Sequence, residues 1–194
     1  MSQLAILLLA AGSSSRMAPR DKLMEKVNGQ PLLGLMSHRA MQTGLSSFVT
    51  IPSHSHPRAA HVGNAIPIEV PDAAEGMGIS IRTGIAALPK TIGAVLILPA
   101  DMPEIETQDL LHMAKQYSSD DPQILRACTI DGTPGHPVLF PRHYFEELLT
   151  LSGDSGARSV LKNQPVKLVT LPGMRAVTDL DTPEAWTIWR ANKN

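Results

Sequence analysis

Short apolar runs alternate along the chain with longer stretches in which apolar positions recur three and four residues apart. The first pattern is typical of buried strands and the second of amphipathic helices. Strands are predicted at residues 4–9, 47–51, 66–70, 94–98, 124–128, 137–140 and 166–170. Helices are predicted at residues 32–43, 79–87, 106–116, 142–149, 157–161 and 183–191. This alternation indicates β-α-β units, so we expect an α/β fold with a mostly parallel sheet.

Composition and charge are those of an ordinary globular protein. The 194 residues are 43% hydrophobic and 18% charged, with a formal net charge of −1, and we take residues 1–194 as one domain. No basic stripe suited to nucleic acid is present, and the N-terminal apolar run is too short to span a bilayer. Cys128 is the only cysteine, which excludes an internal disulfide framework. We expect a cytoplasmic protein that binds neither nucleic acid nor a membrane.

The segment after the first predicted strand has the composition of a phosphate-binding loop, and ligands bind at the carboxyl ends of parallel strands. Gly12 permits a turn with positive φ, and the following backbone N–H and serine hydroxyl groups suit phosphate oxygens. Arg16 and Lys22 add positive charge. A polar strand-to-helix loop with incidental charges is the alternative. The candidate nucleotide-binding residues of this segment are Leu9, Ala10, Ala11, Gly12, Ser13 and Ser14.

A carboxylate follows the most apolar of the predicted strands, at residues 94–98. Asp101 lies in the sequence Pro-Ala-Asp-Met-Pro at the carboxyl end of that strand. Its oxygens are ligands of the kind that Mg²⁺ prefers, and the two prolines restrict the turn that presents it. The alternative is that Asp101 caps the following helix. The neighbouring phosphate loop favours the metal interpretation.

Together these segments resemble the molybdenum cofactor nucleotidyltransferases, which are MobA-like NTP transferases. The resemblance is carried by Leu-Ala-Ala-Gly-x-Ser-x-Arg-Met at 9–17, Gly-Gln-Pro-Leu-Leu at 29–33 and the aspartate motif at 99–103. It implies a Rossmann-like three-layer α/β sandwich of the nucleotide-diphospho-sugar transferase type. It also implies that the loop holds a triphosphate. The catalytic residues that it implies are Arg16, Lys22 and Asp101.

One departure from the family pattern lies inside the loop. The family usually has glycine after Arg-Met, whereas Ala18 and Pro19 stand there in this chain. The departure falls between Arg16 and Lys22, so it bears on the path of the loop that presents Lys22.

Three further segments resemble the cytidylyltransferase branch of the family. They are Pro-Asp-x-x-x-Gly-Met-x-x-Ser at 71–80, Gly-His-Pro-Val at 135–138 and Gly-Asp-x-Gly-Ala-Arg at 153–158. A capped helix start would also explain the first segment, and a neutral histidine at a strand edge would also explain the second. The resemblance implies nucleotide binding by Asp72, Gly76 and Ser80, and acceptor binding by His136, Asp154 and Arg158.

A second carboxylate precedes the last predicted helix, in Asp-Thr-Pro-Glu at 181–184. Thr182 or Asp181 could cap this helix, with proline in its first turn. Related nucleotidyltransferases place a metal-binding carboxylate in this motif, so the resemblance implies that Asp181 joins Asp101 in holding Mg²⁺. Asp179 is the alternate residue for that role.

Three histidines, His54, His56 and His61, lie close together in the chain. Prolines interrupt this segment, and it contains no acidic residue or cysteine. We therefore predict an exposed loop there rather than a metal site.

The resemblance implies a particular reaction. In this family Leu-Ala-Ala-Gly accompanies CTP and Leu-Ala-Gly-Gly accompanies GTP, and this chain has Ala10 and Ala11. We expect transfer of CMP from CTP to the phosphate of the molybdenum cofactor, with Mg²⁺, and a recipient molybdoenzyme as a further partner. The alternatives are GTP as the donor, a sugar or alcohol phosphate as the acceptor, or a non-catalytic cofactor carrier.

Overall fold

A computed structural model describes residues 3–154, 156–162 and 164–192 of the protein. Ser155 of the 153–158 motif and the outermost residues of the predicted 1–194 domain lie outside these ranges. The strands are β1 Gln3–Leu9, β2 Lys26–Val27, β3 Gln30–Pro31, β4 Ser46–Ile51, β5 Ile66–Glu69, β6 Ile92–Pro99, β7 Ile124–Cys128, β8 Pro134–Pro141 and β9 Val166–Thr170. The α-helices are α1 Leu32–Met41, α2 Met77–Ala87, α3 Thr107–Lys115, α4 Phe145–Leu149, α5 Arg158–Leu161 and α6 Pro183–Ala191.

Seven strands form one sheet in the order β5-β4-β1-β6-β8-β7-β9. Neighbouring strands are parallel except for β8, which is antiparallel to both β6 and β7. A tight turn joins β7 to β8, with the Thr129 N–H donating to the Thr133 carbonyl at 3.0 Å. A turn this short can only connect antiparallel strands. The mostly parallel sheet that the sequence predicts is confirmed.

Helices cover both faces of the sheet, because successive strand residues point to opposite sides. In β1, Ile6 and Leu8 pack in a buried cluster with α1, α3 and α6, whereas Ala5 and Leu7 pack with α2 and α4. Burial on both faces explains why β1 and β6 are continuously apolar. The predicted three-layer α/β sandwich is therefore present. In the parts of the chain described, no helix combines the length and the hydropathy needed to cross a membrane.

The two central strands bring two candidate segments together. β1 and β6 are neighbours, and the Ala100 N–H donates to the Leu9 carbonyl at 3.1 Å just beyond their ends. On the other side, the Ala10 N–H donates to the Thr50 carbonyl at 3.1 Å. The loops that follow β1 and β6 therefore begin side by side, which places the glycine- and serine-rich loop next to Asp101.

Gly135, near the beginning of β8, leaves no room for a side chain. A Cβ atom there would overlap the carbonyl of Ala176, which accepts a hydrogen bond from the His136 N–H at 2.7 Å. We expect Gly135→Ala to lower the free energy of unfolding by about 1–3 kcal/mol, measured by urea denaturation. Gly34→Ala within α1 is the control, because a Cβ there meets only the His61 carbonyl, at 3.9 Å, and should be neutral or stabilising. Equal stability of Gly135→Ala and the original protein would contradict this packing.

Candidate active site

A cleft of about 250 Å³ opens at the carboxyl ends of β1 and β6. Its walls are the loop after β1, the beginning of α2 and the loop before α6. The predicted site residues that line it are Leu9, Ala10, Gly12, Ser13, Ser14, Arg16, Lys22, Gly76, Ser80, Asp101, Asp154 and Asp181. The fold thus gathers the phosphate loop and both predicted metal carboxylates around one cavity.

The left-handed turn in the loop lies at Ser14, not at Gly12 as the sequence predicted. Ser14 has φ 54° and ψ 30°, whereas Gly12 has no positive φ. The Ser14 hydroxyl accepts a hydrogen bond from Arg58 at 2.8 Å and donates to Asp21 at 3.2 Å. These side-chain bonds hold a serine in a conformation that glycine would adopt at no steric cost. No atom lies within 4 Å of where a Gly12 Cβ would be, so a ligand has room to approach there.

The ammonium group of Lys22 lies between two carboxylates at the base of the cleft. Its Nζ is 2.5 Å from Asp101 Oδ2 and 2.5 Å from Asp181 Oδ1. Arg16 contacts the other oxygen of Asp181 at 2.7 Å, and its side chain is 69% exposed. The departure from the family pattern at Ala18 therefore does not keep Lys22 from the cleft. Two cations and two anions balance one another in this site.

Backbone contacts, and not helix capping, bring the two aspartates together. The Leu180 N–H donates to the Asp101 carbonyl at 3.1 Å, which ties the loop before α6 to the end of β6. The N-cap of α3 is Glu106, and the N-cap of α6 is Thr182, whose hydroxyl accepts a backbone N–H at 3.2 Å. Because other residues cap both helices, Asp101 and Asp181 are left to face the cleft.

Burial and charge act in opposite directions on these ionisable groups. Burial lowers the pKa of Lys22, but Asp101 and then Asp181 outweigh it, so the pKa is raised and Lys22 stays cationic at neutral pH. Burial raises the pKa of Asp101, and Lys22 only partly offsets this. Burial also acts to raise the pKa of the more exposed Asp181, but its hydrogen bond and charge interaction with Lys22 lower it overall. The two carboxylates therefore differ in proton affinity.

The pair of carboxylates fits a divalent metal ion. Asp101 Oδ1 is buried and has no hydrogen-bond partner among the described residues. Hard cations such as Mg²⁺ commonly bind one or two carboxylates together with substrate phosphates. Across residues 3–154, 156–162 and 164–192 there is no group of three or more His, Cys, Asp or Glu side chains able to hold a metal. Substrate phosphate oxygens and water would therefore complete the coordination sphere.

The opposite wall of the cleft is the beginning of α2, packed against the loop at Gly153. Gly76 has φ 112°, and a Cβ there would overlap Gly153 and Asp154. The Gly78 N–H donates to the Gly153 carbonyl at 2.8 Å, and Ser80 lies buried in the first turn of the helix. This close approach brings Asp154, predicted to bind the acceptor, into the same cleft as Gly76 and Ser80.

Four predicted site residues do not line the cleft. Ala11 is buried in a small apolar cluster at the start of α2, and Asp72 is exposed and begins the 3₁₀ turn Ala73–Glu75. Arg158 is the exposed first residue of α5, and His136 lies on β8. Of the three residues predicted for the acceptor, the cleft therefore contains Asp154 alone, and the roles of the other two stay predictions.

Arg58 is a site residue that the sequence did not indicate. It belongs to the histidine-containing segment predicted to be an exposed loop, and His54 of that segment is indeed exposed. Within the 3₁₀ turn Pro57–His61, however, Arg58 is only 2% exposed. Its guanidinium group donates to the carbonyls of Ala10 and Gly12 in the phosphate loop. An isolated arginine directly after a proline has no periodicity that would have revealed this burial.

The chain and its fold resemble those of known proteins. The family model described as the MobA-like NTP transferase domain matches residues 6–168. The chain belongs to the MobA-like NTP transferase family. This confirms the family resemblance carried by the loop and the aspartate motif.

Two relatives match this chain over very different fractions of their own length. The purine catabolism protein PucB of Bacillus subtilis (strain 168) is 25% identical over 197 residues, 94% of this chain and 93% of PucB. The bifunctional protein GlmU of Rhodococcus jostii (strain RHA1) is 28% identical over 128 residues, which are 61% of this chain and 26% of GlmU. The matched part thus spans about a quarter of the length of GlmU.

A solved structure shows the same fold across the whole chain. Rv0371c from Mycobacterium tuberculosis H37Rv superposes with a TM-score of 0.83 at 23% identity, covering 100% of this chain and 99% of that one. Its complex with manganese gives a TM-score of 0.80 at 23% identity, covering 96% and 97%. These likenesses confirm the predicted nucleotide-diphospho-sugar transferase type of fold.

His136 lies beside two arginines and is held neutral. Burial lowers its pKa to about 4, and the charges of Arg126 and Arg158 act in the same direction. Its Nδ1 atom is buried and has no hydrogen-bond partner within the described part of the chain. Arg126, on the adjacent strand β7, donates to the Gly135 carbonyl at 3.0 Å and is a second residue that the sequence did not indicate.

Replacing His136 by Gln should change how the free energy of unfolding depends on pH. The folded protein protonates His136 only near pH 4, whereas the unfolded chain does so near pH 6.5. Between these values the unfolded chain binds more protons, so the folded state loses stability as the pH falls. We expect His136→Gln to make this loss less steep by up to about 1.4 kcal/mol per pH unit, measured by urea denaturation across the window. Parallel stability curves for the two proteins would contradict a neutral His136.

Proposed function

We propose that the protein transfers CMP from CTP to the phosphate of the molybdenum cofactor, with Mg²⁺, and releases pyrophosphate. The observation that carries the proposal is the position of Lys22 between Asp101 and Asp181, directly beside the phosphate loop. Membership of an NTP transferase family supports a nucleoside triphosphate as the donor.

The proposed reaction forms one bond and breaks one bond at the α-phosphorus of CTP. An oxygen of the acceptor phosphate attacks this phosphorus, the bond to the oxygen that bridges to the β-phosphate breaks, and pyrophosphate leaves. The acceptor phosphate is already ionised at neutral pH, so no side chain has to remove a proton. The protein contributes by positioning and by stabilising charge. The loop at Gly12 positions the triphosphate, and Arg16 and Lys22 stabilise the negative charge that develops.

Asp101 and Asp181 would hold the metal ion in this proposal. A bound Mg²⁺ supplies charge neutralisation and polarisation at the phosphate oxygens. Lys22 is the counter-ion of both carboxylates in the structure. With a dication held by the carboxylates, the Lys22 ammonium group would be free to stabilise the negative charge of the phosphates. Rv0371c, which has the same fold, has been solved in complex with manganese, and this supports a divalent ion as the cofactor.

The choice of CTP and of the pterin acceptor rests on sequence motifs and on their place in the fold. Ala11 distinguishes the Leu-Ala-Ala-Gly pattern, which accompanies CTP in the family, from Leu-Ala-Gly-Gly; it is buried, and its chain neighbours Ala10 and Gly12 line the cleft with Gly76 and Ser80. Asp154, from the motif assigned to the acceptor, reaches the same cleft. The shared cleft supports a donor and an acceptor bound next to each other beside Lys22 and the carboxylates, as in-line transfer requires.

Pyrophosphate release tests the donor and the acceptor together. We expect release from CTP, and not from GTP or ATP, only when intact molybdenum cofactor and Mg²⁺ are both present. A preference for GTP would retain the mechanism and overturn the choice of base. Release that requires a sugar phosphate in place of the pterin would overturn the acceptor. Pterin binding without release from any nucleotide would instead identify a carrier.

The carboxylates can be tested one at a time. We expect Asp101→Asn and Asp181→Asn each to reduce kcat/KM for pyrophosphate release by about 10²-fold or more, because each removes a charged metal ligand. Asp179→Asn is the matched control, since Asp179 is exposed, lies two residues from Asp181 and does not line the cleft. Near-normal rates for Asp101→Asn would remove Asp101 from the mechanism. An equal loss in Asp179→Asn would assign the second metal carboxylate to that residue.

A further inference from the structure

All five N–H donors of Arg58 are used by the segment that forms the phosphate loop. Nε donates to Asp21 Oδ2 at 2.8 Å, and one terminal nitrogen donates to Asp21 Oδ1 at 2.7 Å and to the Ser14 hydroxyl at 2.8 Å. The other terminal nitrogen donates to the carbonyls of Ala10 at 2.6 Å and Gly12 at 2.7 Å. A guanidinium group has five donors in a fixed plane, so no other side chain can reproduce this set.

These bonds fix the direction of two peptide units in the loop. In a trans peptide the C=O and the N–H point in opposite directions. Because Arg58 binds the carbonyls of Ala10 and Gly12, the N–H groups of Ala11 and Ser13 in the same peptide units point away from Arg58. An anion needs N–H groups turned towards it and carbonyl oxygens turned away. Arg58 therefore binds these two carbonyl oxygens, which could otherwise face a triphosphate and repel it.

The same guanidinium group ties the far end of the loop to its beginning. Asp21, which Arg58 binds through both carboxylate oxygens, also accepts the Leu23 N–H at 3.0 Å. Lys22 lies between these two residues in the chain, and its Nζ reaches both Asp101 and Asp181 in the cleft. The position of Lys22 thus depends on the contact between its neighbour Asp21 and Arg58, and Arg58 comes from the turn after β4.

We infer that Arg58 is a positioning residue for the nucleotide, which orients the loop N–H groups of Ala11 and Ser13 and places Lys22. Arg58 is 2% exposed and does not line the cleft, so it acts through the loop and not by touching the phosphates. This inference rests on the proposed use of a nucleoside triphosphate.

Arg58→Lys separates the geometry of the guanidinium group from its charge. Lysine retains the positive charge but has three donors and no planar fork, so the loop loses part of its support. We expect the KM for CTP in pyrophosphate release, and the Kd for Mg²⁺–CTP in calorimetry, to rise about 10- to 100-fold. The KM for the acceptor should stay within about twofold, because the Asp154 wall does not depend on Arg58. A merely structural role would lower the folded fraction and the apparent kcat, and would leave both KM values unchanged.

Arg142→Met is the control for losing an arginine that supports the backbone. Arg142 donates to the Ile92 carbonyl at 2.6 Å and lies 5.5 Å from the centre of the Phe145 ring, at the edge of the sheet opposite the cleft. Arg142→Met should alter the free energy of unfolding without changing the KM for CTP. An unchanged KM and Kd for CTP in folded Arg58→Lys would overturn the inference.

Asp21→Asn keeps the test decisive if Arg58→Lys does not fold. This variant removes the charge that Arg58 pairs with and keeps the shape of the side chain, so the KM for CTP should again rise, by about 3- to 10-fold. An unchanged KM would overturn the inference. The original protein is measured beside each variant with CTP, GTP and ATP. If it binds none of these nucleotides, the proposed function fails, whereas normal behaviour of the original protein and of the variants rejects Arg58 alone.

Discussion

The parallel pairing of β1 with β6 at the centre of the sheet determines where the charged residues of the cleft lie. The two strands run in register from Leu4 opposite Ala94 to Leu9 opposite Pro99, and helices bury both of their faces. A strand buried on both faces cannot carry charged side chains without a large desolvation cost. The charged and glycine-rich residues are therefore displaced to the segments that follow the strands. Because parallel strands end at the same edge, those segments meet in one cleft.

Within that cleft the electrostatic balance suits a phosphate ligand that arrives with a metal ion. Arg16 and Lys22 offset the charges of Asp101 and Asp181, so the site is close to neutral while nothing is bound. A triphosphate alone would meet the two carboxylates, and a dication alone would meet the two cations. The two together satisfy both sets of charges, since the metal takes the carboxylates and the cations take the phosphate oxygens. The proposed use of a metal–nucleotide complex follows from this pairing of charges.

The sequence predicts most of the fold and most of the residues that line the cleft, but not the hydrogen bonds that hold the loop, and the division has a physical cause. Hydrophobic periodicity places the strands and helices because burial repeats along each element, and the bounds of β7, β9 and α6 agree with the prediction. Lys22, Asp101 and Asp181 are predictable because short motifs mark them. Arg58 and the left-handed Ser14 are not, since each depends on hydrogen bonds between segments far apart in the chain. Such a contact leaves no local pattern in either segment.

The position of Gly135 and His136 depends on the direction of a single strand. β8 is antiparallel to both of its neighbours, so its first residues, and not its last, lie at the edge where β6 and β7 end. This reversal explains how Gly135 and His136, at the beginning of a strand, come to the same edge as Asp101, which follows the end of one. The close fit of Gly135 against the Ala176 carbonyl then joins this edge to the chain that continues towards Asp181. A neutral His136 adds no charge to this edge, whereas the charges within the cleft lie at Lys22 and its two carboxylates. The antiparallel strand thus places an uncharged imidazole at the same edge as the charged centre but outside the lining of the cleft.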